Sequence, residues 1–191
     1  MSALGDEWPV DSEGYPHREA ARVVLFDEED RLRLARGHDR DEPERSWWFT
    51  IGGGIMAGES PREAAVRELF IRLEENELLG PVAYRSAEFD FLAVTARQDE
   101  WFFIARTRKS LVLVHDGWTE LERDVIDEQR WWGLDEIDAE ECEIYPMRLT
   151  EFARAWLKGW DGVVKRIIEV SAPSRSGREE SAQDRDEATE S

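Results

Sequence analysis

The chain has 191 residues, and 44 Asp and Glu against 25 Lys and Arg give a formal net charge of −19 at neutral pH. A hydrophobic fraction of 41%, with nine Trp and eight Phe, excludes a disordered chain, and this length supports one core rather than two. The acidic balance excludes the clustered Lys/Arg footprint of a binder of nucleic-acid polymers or anionic membranes, and no apolar run approaches the ~18–20 residues that span a bilayer.

Residues 1–17 carry Gly5, Pro9, Gly14 and Pro16 among acidic residues and read as an irregular lead-in, from which Trp8 and Tyr15 can dock on the domain. The lead-in has no basic-then-apolar leader pattern, so a cytoplasmic location is expected. Residues 18–170 form the expected folded unit. Residues 171–191 contain no aromatic residue and no Leu or Ile, and are expected to be a disordered acidic tail.

Within the folded unit, Ala20–Phe26 is an apolar run, Asp27-Glu28-Glu29-Asp30 is turn chemistry, and Arg31–Leu34 alternates, which together predict a hairpin. Trp47–Ile51 predicts a strand that stops at Gly52-Gly53-Gly54. Ser60 with Glu63 three residues on is a capping box, with Pro61 at the first helical position, so a helix is predicted over 61–75 with Ala65, Val66, Leu69, Phe70 and Leu73 on its apolar side. Strands are predicted over 82–84, 87–93, 100–106 and 129–132. A turn or short helix is expected from Leu134, and an amphipathic helix over 147–157. Strands interleaved with one early and one late helix predict a mixed α/β (α+β) layered domain.

The most informative stretch runs from Gly53. Five residues separate Gly53 from Glu59, seven separate Glu59 from Arg67, and Glu68 and Leu69 follow directly. This resembles the front half of the Nudix box, G-x5-E-x7-R-E-U-x-E-E-x-G-U with U aliphatic. The resemblance extends to Trp47-Trp48-Phe49, to Arg97–Glu100 before an aromatic strand and to Arg130-Trp131-Trp132, as in bacterial Nudix proteins, and covers about 18–157. It implies an α/β/α sandwich around a mixed sheet and, as activity, metal-dependent cleavage of a pyrophosphate bond in a nucleoside diphosphate linked to another moiety. It also implies that Gly53 and Gly54 form the phosphate-side loop, that Glu59 and Arg67 brace loop against helix, and that Glu68 is a ligand to Mg²⁺ or Mn²⁺. Physically, glycines let backbone approach phosphate oxygens, and helical carboxylates three and four residues apart share one face, where hard cations bind and activate water.

The second half of the box departs from the pattern. Ile71 and Arg72 stand where two glutamates are expected, Glu74 stands for the closing glycine and Glu75 for the aliphatic residue. Arg72 lies four residues from Glu68, the favourable spacing for a helical ion pair. Glu75, seven residues from Glu68, is about 10 Å further along a helix axis. Glu100 can supply a ligand or general base from outside the helix, or be part of a solvated acidic turn with Asp99. Arg36, like Arg33, can clamp a phosphate or form a surface ion pair, and Trp48, beside Trp47, can stack on a base or pack in the core. His17, His38 and His115 have no ligand or triad spacing, and the lone Cys142 forms neither an internal disulfide nor a thiolate zinc site. The expected partner is a small nucleotide or phosphorylated metabolite, with a homodimer as a possible assembly. Two functions follow: a Nudix-type pyrophosphohydrolase, or a catalytically silent nucleotide- or metabolite-binding protein.

Overall fold

The computed structural model describes residues 4–5, 7–39, 42–69, 77–91, 94–110 and 124–168. The predicted hairpin forms from β1 (His17–Phe26) and β2 (Leu32–His38), which meet antiparallel at Phe26 and Leu32. Asp27, wholly buried, closes the turn by accepting the Glu29 and Arg31 amides and the Arg31 Nε, so its charge is matched where the chain reverses. Next come β3 (Ser46–Gly54) and α1 (Pro61–Leu69). The two strands predicted around Arg85 are one continuous β4 (Leu78–Phe91), which pairs antiparallel with β5 (Val94–Arg106). β6 (Ile126–Trp132), α2 (Leu134–Asp138), β7 (Glu143–Tyr145), α3 (Leu149–Leu157) and β8 (Lys165–Ile167) complete the described elements.

The strands form one mixed sheet in the order β6-β2-β3-β1-β5-β4-β8, with β7 added alongside β3. The β1–β5, β3–β7 and β4–β8 pairs are parallel and the others antiparallel. Because side chains alternate between faces, parity sorts the core. Odd positions of the central strands (Ala21, Val23, Leu25, Ile51, Phe103) pack with Ala64, Ala65 and Leu69 of α1. Even positions (Val24, Phe26, Leu34, Trp48, Phe102, Ile104) pack with Ile137 of α2 and Leu149, Ala153 and Trp156 of α3. The result is the expected α/β/α sandwich. Two apolar layers flank the sheet, so its central strands are buried on both faces and read as nearly unbroken apolar runs.

The lead-in docks. Trp8 is 3% exposed and joins Leu4 and Ala96 in a third, smaller core, with the Arg18 guanidinium 4.1 Å from the centre of its ring. Tyr15 lies under the guanidinium of Arg97, which also pairs with Asp11, Glu13 and Glu88. Among the described residues no helix is long and apolar enough to cross a membrane.

Candidate functional site

The capping box forms as the sequence predicts. Ser60 N and Oγ both donate to Glu63 Oε2, at 2.8 and 2.7 Å, and Glu63 N returns a bond to Ser60 Oγ at 3.3 Å. This fixes where α1 starts relative to the end of β3, and so where Arg67 and Glu68 stand two turns later. The predicted continuation over Phe70 to Glu75 lies outside the described residues, as do Ile71, Arg72 and the proposed roles of Glu74 and Glu75.

Five of the predicted residues come together. Arg67 donates Nε and Nη2 to the two oxygens of Glu59 at 2.9 and 2.8 Å, and Nη2 also to the Gly54 carbonyl at 2.8 Å. Glu59 in turn accepts the Met56 amide at 2.9 Å, which closes the loop between β3 and α1. Arg67 Nη1 donates to Glu68 Oε1 in a very short contact. These bonds to Arg67, working against burial, hold the Glu59 carboxyl below its usual range, and Glu59 correspondingly raises Arg67. The Glu68 carboxylate rests on Gly53, where a Cβ would come within 2.6 Å of it, so any larger residue there displaces the carboxylate from this seat. At Gly52, with φ of +149°, a Cβ would lie 2.1 Å from the Ala21 carbonyl oxygen. The glycine run is thus shaped by close approach on both faces.

Glu100 is elsewhere, and both expectations for it are corrected. It is neither a solvated turn nor a partner for Glu68, but a residue within β5 that is 1% exposed. Its Oε1 accepts Arg22 Nε at 2.8 Å and Gln98 Nε2 at 2.8 Å, and its Oε2 accepts the guanidinium of Arg85 in a very short contact. Burial pushes the carboxyl up, but Arg85 and Arg22 outweigh it and hold it below the usual carboxylate range. The register sets Glu100 beside Ala20, and Gly54 on the other side of Ala20, so Glu100 is about 10 Å, two strand spacings, from the glycine run. By parity Glu100 faces α2 and α3, whereas Gly53 and Glu68 face α1. Two carboxylates on opposite faces of a sheet cannot chelate one ion.

Arg36 and Trp48 sit directly across from each other in the β2–β3 pair, five residues or about 17 Å from Gly53 and on the α3 face. Arg36 Nη2 donates to Ser46 Oγ at 3.0 Å. Trp48 is 4% exposed and meets Trp132 edge to face at 4.9 Å, which leaves its ring no free face for a base, so it is a core residue. Arg33 lies 5.5 Å from the centre of the Trp131 ring. His17 pairs with Asp99 at 3.2 Å and His38 with Asp127 at 2.9 Å, and His115 lies outside the described residues.

Residues that sequence reading passed over complete the picture. Arg22 Nη1 reaches the Gly52 carbonyl at 3.4 Å, and Arg18 lies against Gly54 while its Nε donates to Gln98 Oε1 at 2.7 Å. With Arg67, three guanidinium groups therefore converge on Gly52–Gly54. The available signal was an arginine inside the apolar run Ala20–Phe26, since a buried charge needs a buried counter-charge.

The described residues do not form a closed, all-protein site for a divalent ion. Among the described residues no group of three or more His, Cys, Asp or Glu side chains is placed to hold one, and hard cations take six or more oxygens. Glu59, Glu68 and Glu100 each bond to an arginine instead.

Comparison with known proteins bears on the frame. The family model "NUDIX domain" matches residues 16–151. A NUDIX hydrolase from Nitrosomonas europaea is similar in structure with a TM-score of 0.51 at 16% identity, over 75% of this chain and 90% of that one. The E. coli dihydroneopterin triphosphate pyrophosphohydrolase gives 0.50 at 16% identity, over 73% of this chain and 94% of that one. No curated protein gives a significant match in sequence. A match over well more than half of the chain, on a sheet and loop of this kind, places the protein in the Nudix family.

Proposed function

We propose that the protein binds a small phosphorylated nucleotide or metabolite at the glycine run and does not cleave it by the metal-assisted route of its family. The observation that carries this reading is that both carboxylates expected to act in catalysis are already engaged by guanidinium groups, Glu68 by Arg67 and Glu100 by Arg22 and Arg85. Arg18, Arg22 and Arg67 also bring guanidinium donors to Gly52–Gly54, and an arginine that exchanges a carboxylate for a phosphate keeps a charged partner. The second reading is pyrophosphate hydrolysis with Glu68 as the metal ligand, and family membership favours it.

A panel of nucleoside triphosphates, nucleotide sugars and dinucleoside polyphosphates, tested with Mg²⁺, Mn²⁺ or EDTA, separates the two. Binding without hydrolysis predicts that at least one compound raises the melting temperature equally with and without EDTA, because a ligand of the native state stabilises it by mass action. It also predicts no phosphate or mononucleotide release. Turnover that is lost with EDTA and in Glu68→Gln overturns the proposal in favour of hydrolysis.

A further inference from the structure

We infer that the catalytic half of the box is missing from this chain as a contiguous four-residue omission between Phe70 and Ile71, and has not been replaced residue by residue. Read straight on from Arg67-Glu68-Leu69-Phe70, the pattern asks for Glu, Glu, any residue, Gly and an aliphatic residue. The chain offers Ile71, Arg72, Leu73, Glu74 and Glu75, which fails at all four specified positions. Read with four residues left out, Phe70 is followed at once by the aliphatic residue, Ile71, and every specified position present in the chain matches. One event replaces four. Ile71 and Arg72 are then not degenerate ligands, and Glu74 and Glu75 are not displaced ones.

The structure on either side of the junction agrees with a local loss. Before it, the features that depend on box spacing are intact: the capping box, the Arg67–Glu59 bidentate pair and the seat of Glu68 on Gly53. Beyond it, Leu78 is buried in the same apolar cluster as Leu69, and its carbonyl accepts Arg62 Nη1 at 2.8 Å. Both flanks are therefore anchored to α1 itself. Scattered substitution gives no reason for every specified position up to Leu69 to match while all four specified positions after Phe70 fail together.

This rests on the reading of the site as poor in metal ligands, and the two fail separately, because the test below needs no nucleotide. Three full-length variants are compared with the unmodified chain for Mn²⁺ binding by electron paramagnetic resonance and by melting temperature. The first carries Glu-Glu-Ala-Gly inserted between Phe70 and Ile71, the second Gln-Gln-Ala-Gly at the same place, and the third Ile71→Glu with Arg72→Glu. The expected result is a gain of at least about tenfold in Mn²⁺ affinity per restored carboxylate in the first alone, since even outer-shell partners of metal ligands count for about 10–100-fold. Equal or greater gain in the third variant overturns the inference in favour of substitution. So does no gain in a folded first variant. An inserted chain that no longer folds, while the third does, also overturns it, because the surrounding fold would then be built for the shorter connection.

Discussion

Two arginine–carboxylate clusters flank the same strand end, one on each face of the sheet, and they differ in what water can reach. On the α1 face, Arg67 keeps 30% of its side-chain exposure and shares its donors among Glu59, Glu68 and the Gly54 carbonyl. On the other face Glu100 is 1% exposed and is gripped by Arg85 and Arg22, themselves 7% and 13% exposed. The first cluster is a brace at a rim, where a ligand can exchange with an internal partner at modest cost. The second is part of the interior, where no partner can leave without stranding a charge. A carboxylate beside an aromatic strand reads the same in sequence in either setting, and burial decides which role it takes.

The largest effect expected is therefore at Glu100. Glu100→Gln leaves two guanidinium groups facing a neutral amide, and the cost should be about 3–5 kcal/mol. In a chain of this size that is a fall of roughly 10 °C in melting temperature, read by thermal or urea unfolding. A loss below about 1 kcal/mol would mean that the buried cluster is not the structural one. Gly52→Ala should come next, at about 3 kcal/mol, because a positive φ and a Cβ only 2.1 Å from a carbonyl oxygen act together. Glu59→Gln should cost about 1–2 kcal/mol, by weakening one charged bidentate pair at the rim.

Acid should bring the two faces into one titration. Glu59 and Glu100 both have folded-state values held below normal, so between the unfolded value near 4.3 and the lower folded values the unfolded chain binds more protons. Their stabilisation is complete above that window and is lost as pH falls through it. Urea midpoints measured from pH 7 to pH 3 should fall steeply below about pH 4.3, and less steeply in Glu59→Gln, which removes the rim contribution. The smallest effect is expected at Glu68: Glu68→Gln should change stability by about 1 kcal/mol or less, since Arg67 keeps Glu59. Swapping Mg²⁺ for EDTA should leave the melting temperature of the unmodified chain where it is.

What the sequence disclosed follows the range of the interactions. The Gly53–Glu59–Arg67–Glu68 constellation was legible because a loop and two helical turns fix it within sixteen residues. The hairpin, the first part of β3, the second half of β5 and α3 were legible because their periodicity is unbroken there. By contrast, β3 runs on through Gly52–Gly54, expected to end it, because β1 pairs with all three glycines, and β5 starts at Val94, ahead of the aromatic run. β4 was split in the reading at Arg85 and Ser86, since a polar pair inside a strand looks like a turn until its partners are known. β7 and β8, of three residues each, are too short to display a period. The environment of Glu100 was not legible, because it depends on Arg22, 78 positions away in sequence, and on a parallel register that no local pattern encodes.

The docked lead-in has a practical side. The family match opens at residue 16 and the first regular strand at His17, so a chain cut to either boundary looks complete by motif. It would nevertheless lose Leu4 and Trp8 from the third core and leave Ala96 uncovered, and it would strip Arg97 of Asp11 and Glu13. The cooperative folding unit therefore begins upstream of the homology unit, and a protein trimmed for crystallisation at the homology boundary would expose an apolar seam along β5, prone to self-association.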